Sequence, residues 1–162
     1  MRKEFIRLRR PRPGDMGRVV QLHGELYAKE FGYDATFEAL VAEIAAGFVR
    51  NFAPKFERCW IAEMDGEVVG SVFLLRESPR VSKLRLLVVH PKARGRGLGR
   101  RLTRACIAFA RRVGYRKMVL WTQSHLTAAR AIYQNEGFRK VASEKHRSFG
   151  KRLVAEVWEL RL

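Results

Sequence analysis

With 162 residues the chain has the length of one domain with a core of its own, and a single domain over 1–162 is expected. A hydrophobic share of 47%, with ten Phe and three Trp, excludes a disordered tail. Thirty-three Lys and Arg against 16 Asp and Glu give a formal charge of +17; this points to nucleic acid, an acidic surface or a phosphorylated cofactor, or equally to solvated surface arginines, and does not choose among them.

In chain order, "FIRLR" (5–9) alternates like a half-buried strand and "RPRPGD" stops it. Asp15 is read as the cap of a helix whose Met16, Val19, Val20, His23, Leu26, Tyr27 and Phe31 keep helical spacing. A second amphipathic segment follows, carrying Phe37, Leu40, Val41, Ile44 and Phe48. "RCWIAEMDGEVVGSVFLL" (58–75) is strand, Asp65-Gly66 turn and strand. "KLRLLVVH" (83–90) is apolar enough for a mid-sheet strand. Leu98, Leu102, Ala105, Cys106, Phe109 and Val113 mark a helix that Gly114 ends. "KMVLWT" (117–122) is a strand, 126–136 a helix with Gly137 beyond it, and two last strands fall near 138–144 and 152–161, with Leu153, Ala155, Val157 and Leu160 as core candidates. The pattern is one α+β domain with a mixed sheet, free of internal repeats.

Cys59 and Cys106 form no CxxC pair, which excludes a four-ligand zinc site of cysteines; no metal is expected, and both read as buried thiols of a reducing compartment. No apolar run reaches secretory or membrane-spanning length, so a soluble cytoplasmic protein is expected.

The chemistry concentrates in "HPKARGRGLGRRL" (90–102), where a strand, a glycine-rich turn and a helix follow one another. A helix N-terminus offers unpaired N–H groups and partial positive charge to an anion. Gly95, Gly97 and Gly99 let backbone approach that anion, and Arg94, Arg96, Arg100 and Arg101 can add charge-assisted bonds. The pattern is RxxGxG, neither the GxxxxGK[ST] of a Walker loop nor the GxGxxG of a dinucleotide turn. Taken alone it is a phosphate cradle or a basic solvent loop.

Together with "AARAIYQNEGF" (128–138), which follows the strand "MVLW", the loop resembles the GCN5-related N-acetyltransferase (GNAT) superfamily, whose members transfer acetyl from acetyl-CoA to an amine. The likeness runs from "FIRLR" to "VWEL" and is strongest across 84–138. It implies a three-layer α/β arrangement, a mixed and mostly antiparallel sheet of about seven strands flanked by about four helices. "YAKEFGYDATFEALVAEI" and "SFGKRLVAEVWEL" look more narrowly like acetyltransferase domains found fused behind MarR-type winged-helix regulators; this chain has no room for the regulator, and the enzymatic part is expected to stand alone.

The resemblance implies that the N–H groups of Arg94, Gly95, Arg96, Gly97, Leu98, Gly99 and Arg100 hold the pyrophosphate of coenzyme A, with the arginine side chains helping its charge. Leu87, Val88 and Val89 would pair through their backbone with the pantetheine arm, and an N–H near Val88 or Val89 would stabilise the oxyanion of the tetrahedral intermediate. Tyr133 would be the general acid, a phenol near pKa 10 that reprotonates a departing thiolate near 8.5. Thr127 and Arg130 would touch the pantetheine or phosphates.

The central strand carries Lys83 and Arg85 where many relatives have a Glu base, so the base is left unassigned among His23, Glu25, Glu30, Asp34, His125 and His146. Tyr27, Phe31, Tyr33 and Phe37 line an acceptor pocket or belong to the core. Lys83 and Arg85 favour an acceptor bearing a carboxylate or phosphate. The expected activity is acetyl transfer from acetyl-CoA to a primary amine of a small molecule, without membrane association; a homodimer is consistent with the resemblance. The alternatives are a protein or peptide N-acetyltransferase, a coenzyme A sensor, and a nucleic-acid-binding module. The last has "RRVGYRK" (111–117) in its favour, and lacks any helix-turn-helix, zinc-finger or RNP signature.

Overall fold

A computed structural model describes residues 4–162. Its strands are β1 (Ile6–Arg9), β2 (Arg58–Met64), β3 (Glu67–Ser78), β4 (Val81–Val89), β5 (Lys117–Gln123), β6 (Arg139–Ser148) and β7 (Lys151–Arg161), and its helices α1 (Asp15–Phe31), α2 (Ala35–Arg50), α3 (Leu98–Val113) and α4 (Thr127–Asn135). The strands make one sheet in the order β1-β2-β3-β4-β5-β7-β6. Every neighbouring pair is antiparallel except β4 and β5. The mixed sheet is the one the strand and helix patterns implied, and its layering with helices is the arrangement the resemblance implied.

Period-two alternation in β3 sends its side chains to two different layers. Val72 and Leu74 pack with Leu102, Cys106 and Phe109 of α3, in a layer that also takes in Tyr133 of α4. Phe73 turns the other way, onto Val19 of α1 and Phe48 of α2. Leu102 and Cys106 are fully buried, and each apolar side chain of Leu size so enclosed contributes about 2 kcal/mol. Cys59 and Cys106 are both buried, and burial pushes both thiols above their ordinary pKa.

Asp15 does not cap α1. The cap position is Gly14, in the left-handed region at φ 96°, and Asp15 is the first helical residue. Its carboxylate instead accepts from Arg12 N at 2.6 Å and holds the Arg9 guanidinium at 2.7 and 3.1 Å. Arg9 in turn bonds Glu63, so one cation clips β1, β2 and the start of α1 together. The second helix is capped by Asp34, whose side chain accepts from Thr36 N at 2.9 Å. In β7, Leu153, Ala155 and Leu160 are buried, whereas Val157 is half-buried. Val157 shares the face of Leu153 and Ala155, while Glu156, Trp158 and Leu160 are buried on the opposite face of the same unbroken strand. No helix among the described residues is long and apolar enough to cross a membrane.

Candidate active site

The site begins where two parallel strands stop pairing. β4 and β5 are in register only from Val81↔Lys117 to Leu84↔Leu120. Beyond Leu84 the chain bulges: pairing with β3 jumps from Phe73↔Arg85 to Ser71↔Val88. Leu86 takes the left-handed conformation at φ 51° within this jump, and Ser71 Oγ donates to its carbonyl at 2.9 Å. Val88 and Val89 then pair with β3 alone, which leaves their other backbone edge, and that of Leu87, facing a cleft. Gly70 makes the bulge possible, because a Cβ there would stand 2.8 Å from the carbonyl oxygen of Val88.

After β4, His90 N bonds Val69 O at 2.7 Å, and a short 3-10 turn over Pro91–Ala93 swings the chain into the glycine loop. Gly95 and Gly97 sit at φ 73° and 72°, conformations a side chain would strain. Arg94 N is bonded to Pro91 O and Arg101 N to Gly97 O; between them the N–H groups of Gly95 to Arg100 find no backbone acceptor among the described residues. These donors lie at the N-terminus of α3, the position that favours an anion.

The arginine side chains of the loop are already engaged. Arg94 meets Glu30 at 2.6 Å, Arg96 meets Glu4 at 2.6 Å, and Arg100 and Arg104 share Glu136 at 3.0 and 2.9 Å. Arg101 donates to Ile6 O at 2.8 Å. Arg94, Arg96 and Arg100 thus share their charge with Glu30, Glu4 and Glu136, while the backbone N–H groups of the loop stand open beside them. Arg130 does not line the cleft. Its Nε donates to Glu156 at 2.8 Å and its guanidinium lies 5.8 Å from the Trp158 ring centre, which holds it toward β7. Thr127, Ala128, Ala129 and Ile132 form the α4 wall of the cleft instead.

The cleft has a volume of about 440 Å³ and runs from the glycine loop, past Leu87–Val89, to Tyr27, Glu30 and Phe31 of α1 and to His125. Tyr133 lies behind this lining, 5% exposed, with its ring 5.7 Å from Phe138. Burial first, then the neighbouring Tyr27 and Cys106, hold its phenol well above an ordinary tyrosine pKa, so it keeps its proton. Burial likewise pushes Tyr27 up to about 12.

The aromatic residues divide between the two roles left open for them. Tyr27 and Phe31 line the cleft, while Tyr33 and Phe37 pack behind, where Phe37 stacks on Tyr27 at 4.5 Å and Tyr33 on Phe149 at 5.1 Å. Asp34 N also bonds Phe149 O at 3.1 Å, so the turn between β6 and β7 closes onto the turn between α1 and α2.

Of the six ionisable candidates, only Glu30 and His125 line the cleft. Glu30 is held by Arg94. His125 Nε2 is 2.7 Å from the Tyr33 hydroxyl, its ring is 4.8 Å from Phe31, and burial lowers its pKa, which keeps the imidazole neutral near pH 7. Asp34 caps α2, Glu25 is bonded to Gln21, and His146 lies between Ser148 and Gln123. His23 is buried in α1, its Nδ1 2.8 Å from Val19 O. No sequence signal separated His125 from the others; the contact with Tyr33, 92 positions away, does. Among the described residues, no three His, Cys, Asp or Glu gather as a metal-ligand group.

Comparison with known proteins agrees with this architecture. Residues 22–138 match the model of the acetyltransferase (GNAT) family. N-acetylaspartate synthetase of Danio rerio is 33% identical over 109 residues, 67% of this chain and 38% of that protein. N-acetyltransferase family 8 member 2 of Rattus norvegicus is 35% identical over 119 residues, 64% of this chain and 52% of that protein. The chain thus spans about half or less of the length of these two relatives. Among solved structures, yncA of Salmonella typhimurium with its cofactor acetyl-CoA superposes at TM-score 0.78 and 20% identity, covering 96% of this chain and 93% of that one. Ribosomal-protein-alanine N-acetyltransferase of Brucella melitensis gives 0.77 at 20% identity, over 96% and 99%. A splayed pair of parallel strands, a glycine loop of free N–H groups and a family match over both make the conclusion plain: the chain belongs to the acetyltransferase (GNAT) family.

Proposed function

We propose that the protein transfers acetyl from acetyl-CoA to a primary amine of a small molecule. The observation that carries this reading is the split of β4 from β5, which puts a backbone edge of Leu87–Val89 that no strand pairs in one cleft with the free N–H groups of Gly95 to Arg100. The residues fit coenzyme A: the loop N–H groups suit its pyrophosphate, the open β4 edge suits the amides of its pantetheine arm, and Thr127 borders the same groove. Acetyl-CoA supplies the thioester. The N–H of Val88 or Val89 lowers the energy of the negative charge that grows on its carbonyl oxygen.

His125 takes the proton of the attacking amine. For this its Nε2–H donates to the Tyr33 oxygen, and Nδ1 keeps the lone pair. Tyr133 returns a proton to the departing thiolate, and its burial guarantees that the proton is present. N-acetylaspartate synthetase, one of the relatives, bears the name of an acetylated amino acid, which agrees with a small amine as acceptor. The two segments that look like regulator-fused acetyltransferase domains meet where Asp34 bonds Phe149, beside Tyr33, whose hydroxyl touches His125 of the cleft. They are read as the acceptor-selecting parts of this chain.

Thiol release from acetyl-CoA over a panel of amines tests the reading, with thermal melting in coenzyme A alongside. Ligand that binds only the folded state raises the melting temperature. Tyr133→Phe is expected to keep that rise and to cut turnover by about 100-fold. Failure of coenzyme A to raise the melting temperature refutes the cradle.

A further inference from the structure

We propose that the acceptor is an amine that also carries a carboxylate, and that Lys83 and Arg85 of β4 hold that carboxylate. The inference rests on the acetyl-transfer reading above and names its second substrate by chemical class.

Lys83 and Arg85 are two apart on a strand, so both side chains leave the sheet on the same face. The register puts Lys83 opposite Leu75 and Arg85 opposite Phe73, on the face that Val19 and Phe48 of α1 and α2 pack. Both cations are half-buried. Neither makes an ion pair with any described residue, in contrast to Arg94, Arg96 and Arg100, each of which meets a carboxylate within 3.0 Å. Lys83 Nζ lies 5.3 Å from the ring centre of Trp121, which is itself 61% exposed. Trp121 is the first β5 residue past the last β4–β5 pair, Leu84↔Leu120, and so flanks the mouth of the split.

A half-buried cation gives up hydration, and a ring face such as that of Trp121 recovers only part of what a carboxylate at hydrogen-bond distance would. Here burial is the main influence on both groups, and it lowers the pKa of each; Glu77 opposes that only from a distance. Arg85 also stands three residues before Val88 and four before Val89, the backbone assigned to the thioester carbonyl, a separation of at most roughly 10–13 Å along the strand that the bulge at Leu86 shortens. An arginine side chain and a short amino acid together span that separation. A carboxylate on the acceptor then gains charge-assisted hydrogen bonds from Arg85 and the field of Lys83, and it fixes the amine relative to the acetyl group.

The test uses the whole chain and two readouts. Turnover is compared between amino acids and the corresponding decarboxylated amines, carboxamides and phosphorylated amines. Independently, N-acetylated amino acids and their carboxamides are titrated by calorimetry. Carboxylated acceptors are expected to win, and Arg85→Gln or, separately, Lys83→Gln is expected to raise their KM by about tenfold, the value of one charge-assisted bond. Either variant should weaken the N-acetylated amino acids similarly while the coenzyme A thermal shift persists. Preference for decarboxylated or phosphorylated amines, or equal binding of acid and carboxamide, overturns this inference alone. Loss of the coenzyme A shift in the unmodified chain overturns the acetyl-transfer reading and the inference with it.

Discussion

Acidification should weaken this fold through one imidazole. His23 is 2% exposed; its Nδ1–H donates to Val19 O at 2.8 Å, and its Nε2 is sealed from solvent with no hydrogen-bond partner among the described residues. Around it stand the rings of Tyr27 at 5.9 Å and Phe37 at 6.3 Å, which offer nothing to a second N–H. Burial pushes its pKa down to about 4, against the raising effect of Val19 O. An unfolded histidine titrates near 6.5, so below that pH the unfolded chain binds the proton first. Stability is unaffected above pH 6.5, falls as pH drops through the window from 6.5 to about 4, and levels off below it. Linkage between those two values gives a loss of about 2 kcal/mol by pH 5 and about 3 kcal/mol by pH 4. Carboxylates such as Asp15, held low by Arg9, add their own acid dependence, so the His23 share must be taken as a difference. Denaturant unfolding of the unmodified chain and His23→Leu at pH 7, 5 and 4 supplies it. The leucine variant should gain on the unmodified chain by those amounts as pH falls. A stability gap that stays constant with pH would refute the account of a sealed, partnerless nitrogen.

Gly70→Ala drives a methyl group onto the Val88 carbonyl, and backbone must move. A loss of about 1–3 kcal/mol in stability is expected, with coenzyme A affinity reduced, as calorimetry on the folded variant would show. Glu156 is 2% exposed and holds Arg130 at 2.8 Å, Trp158 Nε1 at 3.1 Å and Lys140 at 3.7 Å. Glu156→Ala strands these donors and should cost about 3 kcal/mol in a denaturant melt, while Arg130→Ala alone, removing a partly exposed cation, should cost less.

The sheet, the helices and the glycine turn before α3 were legible because they depend on local pattern. The Asp65-Gly66 turn between two apolar runs, helical spacing from Leu98 to Val113 and the glycines at 95 and 97 each declare themselves within a few residues. What escaped is long-range. The partners of Arg94, Arg96, Arg100 and Arg130 are Glu30, Glu4, Glu136 and Glu156, between 26 and 92 positions distant. Nothing in the glycine loop itself announces that its arginines are satisfied before any ligand arrives. Asp15 was misjudged for a related reason: a carboxylate beside a helix start is a cap by default, but here it turns away from its own helix to the half-buried Arg9 and to Arg12 N. His125 is the converse, an unremarkable loop residue that gains a place in the cleft from Tyr33.

The short parallel ladder has a mechanical meaning. Strands β1–β4 form one antiparallel half-sheet and β5–β7 another, and four residue pairs, Val81↔Lys117 to Leu84↔Leu120, are the ladder that stitches them. The cleft is the unstitched end of that seam, walled on one side by β4 and on the other by α4. Whatever fills it touches β4 on one side and the segment after β5 on the other, and acts as a rivet across a seam that four residue pairs hold. Occupancy should therefore slow amide exchange selectively at Lys117–Leu120 and Val81–Leu84, well away from the atoms that react.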